Sequence, residues 1–340
     1  MKNFIINITK FSLFIAIIIS LFFIAFYYED PFKIYRKKLN FNDSNISLNR
    51  DFVSVEKFLH NIEDEDYNSY VFGSSRTLGY SAEKWHTKLD STASIFFFDA
   101  SLESLYGIYS KIKFLSENNF KIKNCLIILD RDCSFKRLDK VDFDYDYLFI
   151  KHPRITGGSY IKLYTKSFQT YSNLGFLASY YLNKLTGEYY SFMNGFINEY
   201  KTYYEPISNE IKLNELDSII ELEPNKYYRE NAYKFDNINQ ETIDSIQRIN
   251  SKSYKYLSFI KSIFDEQNTD YRIIISPLYE QIKLNNKDLE LLISLFDSSK
   301  VFDFSGGNKY SIDKRNYYES SHYRKNIGNS ILDSAYKQVN

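Results

Sequence analysis

The run YVFGSSRTLGY, Tyr70 to Tyr80, has the form of a buried strand that ends in Gly73-Ser74-Ser75-Arg76. Glycine lets the backbone turn sharply there. Such a turn lifts the Ser75 hydroxyl above the sheet edge and aims its own N–H at the same point, so a nucleophile and one oxyanion donor arrive together. A serine hydroxyl is too weak an acid to attack an ester unaided. It needs a positioned imidazole, and the imidazole needs a carboxylate to fix its tautomer. The run YYESSHYRKNIGNSIL, Tyr317 to Leu332, carries both, with Glu319 three residues before His322. Asp303, at the end of a late strand, is a second acid able to orient His322. Ser74 and Arg76 are either helpers of the nucleophile or caps of the helix that follows. Each residue also has an ordinary reading, as loop, cap or solvated charge. Their conjunction is what points to acyl transfer or ester hydrolysis.

To bring Ser75 and His322 together, the intervening chain must build a sheet. Short apolar runs end at Gly73, Asp99 and Asp130, and two more, Tyr271 to Ile275 and Lys300 to Phe302, end at Ser276 and Asp303. Each reads as a strand buried on both faces. Between the second and third, Leu102, Leu105, Tyr106, Tyr109, Ile112 and Leu115 recur at helical spacing, the crossover that a parallel pair requires. Asn286 to Phe296 does the same for the last pair. The fold class expected is therefore α/β, with a parallel five-stranded sheet. Ligands of such sheets bind beyond the carboxyl ends of the strands, so one rim collects the candidate chemistry. A helical insertion at about 136–268 is expected over those strand ends, with helix-like spacing in Ser159 to Leu185 and Gln240 to Phe264. A short helix is expected around Val53 to His60.

The N-terminal segment decides the compartment. From Phe11 to Tyr28 the chain is apolar apart from Ser12 and Ser20, long enough to cross about 30 Å of hydrocarbon as a helix. No pair of small residues suited to signal-peptidase cleavage follows, so residues 1–28 read as a retained signal anchor. Lys2 and Lys10 before the span compete with Arg36, Lys37 and Lys38 after it. The plan of one early anchor and one large exported domain favours the N-terminus inside. The expected organisation is an anchor at 1–28, a polar stalk at 29–50 and an α/β domain at 51–340.

Lys plus Arg equals Asp plus Glu at 43 each, which leaves no field of positive charge for nucleic acid. With 32 Tyr and 29 Phe beside abundant Asn, Ile and Lys, the aromatic content fits an AT-rich coding sequence at least as well as sugar-stacking surfaces. Cys125 and Cys133 are expected to be free thiols. Neither has metal-ligand spacing with His60, His86, His152 or His322, so no metal and no cofactor is called for.

Gly73-Ser74-Ser75 resembles the first block of the SGNH hydrolases, in the form found in membrane-anchored members linked to O-acylation of envelope polysaccharides. Glu319 and His322 match the acidic-x-x-His of the last block. The run LDRDCSF, Leu129 to Phe135, and the run VFDFSGG, Val301 to Gly307, are similar to the same branch, as is HPRITGGS, His152 to Ser159. The resemblance spans about Ser69 to the C-terminus. It implies a flavodoxin-like sheet, Ser75 as nucleophile, His322 as base and Glu319 as orienting acid. The last block of the family usually carries Asp where Glu319 stands. Gly107 lies deeper in the crossover helix than the family's oxyanion glycine, and Asp130-Arg131-Asp132 replaces its asparagine block.

Three functions follow. The first is acyl transfer, of acetyl above all, to or from a hydroxyl of an envelope polysaccharide or its precursor, as an O-acetyltransferase; the resemblance implies as its partner a multi-spanning membrane O-acyltransferase that supplies the donor. The second is a carbohydrate esterase that releases the same groups to water. The third is a non-catalytic glycan-binding or assembly protein with a degenerate site. All three sit at the cytoplasmic (inner) membrane as single-pass proteins, held in lipid by the N-terminal helix, with the domain on the outer, periplasmic side.

Overall fold

The computed structural model describes residues 1–35, 40–42, 45–131, 133–135, 146–235 and 243–337. Arg36, Lys37 and Lys38, which bear on orientation, and Asp132 in the third-strand motif lie outside the described residues. In chain order the helices are α1 (Lys2–Glu29), α2 (Arg50–Asn61), α3 (Ala82–His86), α4 (Leu105–Glu117), α5 (Pro153–Thr156), α6 (Tyr160–Tyr171), α7 (Leu174–Thr186), α8 (Asn214–Leu222), α9 (Pro224–Glu230), α10 (Ser251–Gln267), α11 (Asn286–Phe296) and α12 (Lys325–Ala335). The strands are β1 (Ser69–Gly73), β2 (Ile95–Phe97), β3 (Asn124–Leu129), β4 (Tyr203–Tyr204), β5 (Ile211–Lys212), β6 (Asp270–Ile275), β7 (Val301–Asp303), β8 (Tyr317–Glu319) and β9 (His322–Tyr323).

The chain divides into two compact units: Met1–Leu48 with Ser159–Glu199, and Asn49–Gly158 with Tyr200–Asn340. In the first, α1 is long and apolar enough to cross a membrane. It contains neither Gly nor Pro and stops where Asp30 turns left-handed at φ 41°, one residue before Pro31. Beyond it lies the segment expected as a polar stalk at 29–50. Phe32, Ile34, Phe41, Ile46 and Leu48 within it are buried. Its companions are α6 and α7 from the expected insertion. Tyr171 and Phe176 are buried, with ring centroids 6.1 Å apart.

The second unit is an α/β domain. Its parallel sheet runs β2-β1-β3-β6-β7, in continuous register from Ser69↔Asn124 to Ile275↔Asp303. The strands are apolar on both faces because both faces are covered. Tyr70 and Phe72 of β1 pack with Phe58 of α2, Ile108 and Ile112 of α4, Leu257 and Ile260 of α10 and Leu292 of α11. Val71, pointing the other way, packs with Trp85 of α3, Ile220 of α8, Tyr227 and Tyr228 of α9 and Ile331 of α12. Two differences from the sequence expectation stand out. The expected helical insertion contains the short antiparallel pair β4 and β5, and in the stretch Gln240 to Phe264, of which 240–242 lie outside the described residues, the helix begins at Ser251. Asn250 explains that start, since its side chain caps the Lys252 and Ser253 amides.

Candidate active site

The turn that carries Ser75 is set by close approach of backbone. A Cβ on Gly73 would lie 2.8 Å from the Ile128 carbonyl oxygen of β3, so only glycine lets β1 end against its neighbour. Ser74 then caps the short 3₁₀ turn Ser75–Gly79, and its hydroxyl donates to Asp130 Oδ2 at 2.7 Å. Thr77, inside that turn, has its hydroxyl 2.5 Å from Asp99 Oδ2. Asp99 is held in turn by Arg50, whose Nη2 donates to Oδ1 at 2.6 Å. The carboxyl ends of β1, β2 and β3 are thereby tied through one buried set of polar groups.

The second half of the site comes from the C-terminal hairpin of β8 and β9. Tyr227 Oη donates to the Tyr318 carbonyl at 2.7 Å, and Tyr228 Oη to the Tyr317 carbonyl at 2.8 Å, so two phenols of α9 hold β8. Tyr323 of β9 is buried and lies 3.2 Å from Ser276 Oγ at the end of β6. Burial pushes its phenol up to about 12, against the lowering effect of Ser276 and Tyr80, so it is a neutral prop. These tyrosines give the aromatic composition a structural use: their rings fill core and their hydroxyls satisfy backbone carbonyls.

The two halves meet at Ser75. His322 Nε2 lies 2.6 Å from Ser75 Oγ, and its Nδ1 is hydrogen-bonded to Glu319 Oε1. The Ser321 amide donates to the other Glu319 oxygen at 2.8 Å. Burial pushes the Glu319 carboxyl up. His322, the Ser321 amide and the Arg76 charge outweigh it and hold the group below the usual carboxylate range. The side chains of His322 and Glu319 are 28% and 31% exposed, so the constellation is open to a substrate.

The remaining candidates divide. Arg76 is buried, with Nη1 3.9 Å from Asp130 Oδ2 and 3.2 Å from Cys133 Sγ. Asp130 also accepts from the Cys133 amide at 2.5 Å, which makes it the clasp of the loop after β3. Asp303 is not brought to His322. Its Oδ1 accepts from the Ser305 amide at 2.9 Å and the Ser305 hydroxyl at 2.5 Å, closing the turn after β7. The Gly107 amide is engaged as well, by Ser104 Oγ at the start of α4. His152 is buried and caps α5 through Nδ1, with Nε2 3.0 Å from Glu56. Cys125 and Cys133 are buried and not joined in a disulfide. Among the described residues no group of three metal-ligating side chains gathers.

Sequence reasoning passed over Thr77, Asp99 and Tyr323 as site supports. Asp99 carried a usable signal, since it ends a strand on the rim. Gly79 and Gly328 carried none, although they decide how near α12 and β9 come to the turn that carries Ser75. A Cβ on Gly328 would lie 1.8 Å from the Gly79 carbonyl oxygen, and one on Gly79 would lie 2.2 Å from the Tyr323 ring. Gly328→Ala is therefore expected to destabilise the protein by about 1–3 kcal/mol through overpacking. A lower melting temperature of the detergent-solubilised protein checks this, and an unchanged one would show that α12 can shift freely.

No protein-family model and no curated protein matches this chain, so its functional reading rests on the geometry of the site.

Proposed function

We propose that this protein is a membrane-anchored serine acyltransferase or esterase of the cell envelope. It acts on ester-linked acyl groups, above all acetyl, of an envelope polysaccharide through a Ser75 acyl-enzyme. The observation that carries this reading is the 2.6 Å contact of Ser75 Oγ with His322 Nε2, whose other ring nitrogen is bonded to Glu319. A hydroxyl, an imidazole and a carboxylate in that relay are the parts of acyl transfer.

In the first step Ser75 Oγ attacks the acyl carbonyl carbon and its proton passes to His322 Nε2. Glu319 stabilises the imidazolium that forms. Among the described residues no protein acceptor takes the Ser75 amide proton, which suits that amide to the oxyanion. Collapse expels the alcohol, which takes the proton from Nε2, and leaves the acyl group on Ser75. A sugar hydroxyl or water then attacks the ester, gives its proton to Nε2, and departs acylated as Ser75 is restored. Transfer and hydrolysis differ only in that acceptor.

Two features support the SGNH resemblance. Taken along the chain, the strands of the parallel sheet stand in the order 2-1-3-4-5, the flavodoxin-like arrangement. Ser75 and Asp130 follow β1 and β3, the switch point where ligands of such sheets bind. The apolar α1 supports anchoring in a membrane; the placement proposed with it is the inner membrane with the domain outside, where a multi-spanning O-acyltransferase would hand over the acyl group. A second reading, a glycan-binding or assembly protein with a degenerate site, is favoured by the occupied Gly107 amide and by a carboxylate, Asp130, in place of an asparagine.

A serine-directed fluorophosphonate separates the two. The expected result is a single adduct on Ser75, found by peptide mass spectrometry and abolished by prior unfolding. A folded protein that stays unlabelled would overturn the catalytic reading.

A further inference from the structure

The unit that contains α1 presents an unusual outer face. In α7, Leu174, Ala178, Tyr181 and Leu185 fall at i, i+4, i+7 and i+11, one stripe of the helix. An apolar stripe at that spacing ordinarily faces a core. Here the core side is taken by Phe176 and Ser179, while Leu174 is 82% exposed, Leu185 84% and Tyr181 38%. Just beyond, the rings of Tyr190 and Phe192 stack at 6.0 Å, and Phe192 is 57% exposed.

Where this face lies is set by its contacts with α1. Tyr180 Oη donates to Glu29 Oε2 at 2.7 Å, and Lys184 Nζ to the same oxygen at 2.5 Å. Glu29 is the last residue of α1, so the C-terminal half of α7 stands level with the end of the apolar helix. Tyr27 and Tyr28, exposed at that same end, are the kind of residue that marks a membrane–water boundary. The other end of the hairpin reaches further. The Tyr171 ring is 5.2 Å from Phe22 and 5.0 Å from Phe26, and Phe168 is 5.5 Å from Phe23. Phe22 precedes Glu29 by seven residues, about 10 Å along the helix axis. The α6–α7 junction, with Leu174 beside it, thus lies about that much nearer the middle of the apolar helix.

We propose that α6 and α7 form an interfacial hairpin that is itself immersed in lipid, with Leu174, Tyr181 and Leu185 entering the boundary between headgroups and acyl chains. The proposal rests on the reading that α1 spans a bilayer. The occupant is the bilayer surface because the stripe sits at the level where α1 leaves the hydrocarbon, and the depth of about 10 Å matches that of helices lying in the interface. Lys162, exposed on α6, adds a positive charge to the hairpin, suited to anionic headgroups. The consequence is a second attachment that fixes the rotation of this unit about the axis of α1.

The test uses full-length protein in vesicles of phosphatidylcholine with phosphatidylglycerol. Single variants Leu174→Cys, Leu185→Cys and Ile17→Cys are labelled with an environment-sensitive dye, the native Cys125 and Cys133 being buried. Labels at 174 and 185 are expected to be quenched by nitroxide-bearing lipid and to be several-fold less accessible to iodide than the free dye. If the label at 17 is quenched by lipid while those at 174 and 185 meet iodide freely, the hairpin proposal fails and the span stands. If the label at 17 escapes lipid quenching too, the spanning reading falls and the hairpin with it. Labels at 174 and 185 shielded from both quenchers would mean that another protein covers the stripe, which overturns the lipid assignment.

Discussion

Ser75→Ala is expected to lower the turnover of an activated acetyl ester by about 10⁴–10⁶-fold while leaving the melting temperature unchanged, because a serine and its base act as a unit whose loss removes the covalent route entirely. The side chain accounts for the stability half of this expectation. Ser75 contributes its Oγ to His322, whereas the turn around it is held by Ser74 on Asp130 and Thr77 on Asp99. Alanine removes the reacting atom and leaves those ties in place. The measurement is the rate of 4-nitrophenyl acetate hydrolysis by the detergent-solubilised protein beside a thermal melt. Equal rates in the two proteins would mean that ester turnover proceeds elsewhere, and the acyl-enzyme proposal would be lost.

Glu319→Gln is expected to cost about 10⁴-fold in kcat, or about 5 kcal/mol of transition-state stabilisation, with little change in KM. The amide keeps the shape but loses the charge that stabilises an imidazolium, and it can present an N–H to Nδ1, which selects the wrong tautomer for taking the Ser75 proton. Asp303→Asn serves as the internal control. Asp303 bonds Ser305 rather than His322, so its loss is expected to leave kcat close to that of the parent. A large fall with Asp303→Asn and none with Glu319→Gln would reverse the assignment. Acid acts differently from mutation here. Because the folded-state Glu319 carboxyl titrates below its ordinary value, the stability it contributes is present above that ordinary value and is lost as pH falls through the lowered one. Across the neutral range Glu319 therefore stays charged.

Much of the scaffold was legible in the amino-acid order, for identifiable reasons. Parallel strands covered on both faces must be apolar throughout, so Ser69–Gly73, Asn124–Leu129 and Asp270–Ile275 announce themselves as short apolar runs that end in polar residues. The α11 helix, Asn286–Phe296, falls where its periodicity placed it, with Asn285 as its cap. The segment after α1 reads as polar on average, and an average hides that Phe32, Ile34, Phe41, Ile46 and Leu48 each find a buried place.

The candidate site residues follow the same division. Local order was enough to single out Gly73-Ser74-Ser75 and the Glu319-x-x-His322 spacing, since a strand-ending glycine and an i, i+3 acid–histidine pair are local patterns. It favoured Glu319 for its spacing to His322 but left Asp303 as a rival, because Asp303 ends a strand on the same rim and Glu319 is one methylene longer than the usual aspartate. Only the tertiary structure separates them: the β8–β9 hairpin places Glu319 on Nδ1, while the turn after β7 consumes Asp303 locally. The meeting of Ser75 with His322 depends likewise on contacts between residues far apart in sequence, Gly79 against Gly328 and Tyr323 against Ser276. Hydropathy and spacing record which face of an element is buried. They do not record which distant backbone lies within van der Waals contact of it, and that is what decides whether a hydroxyl and an imidazole can share a proton.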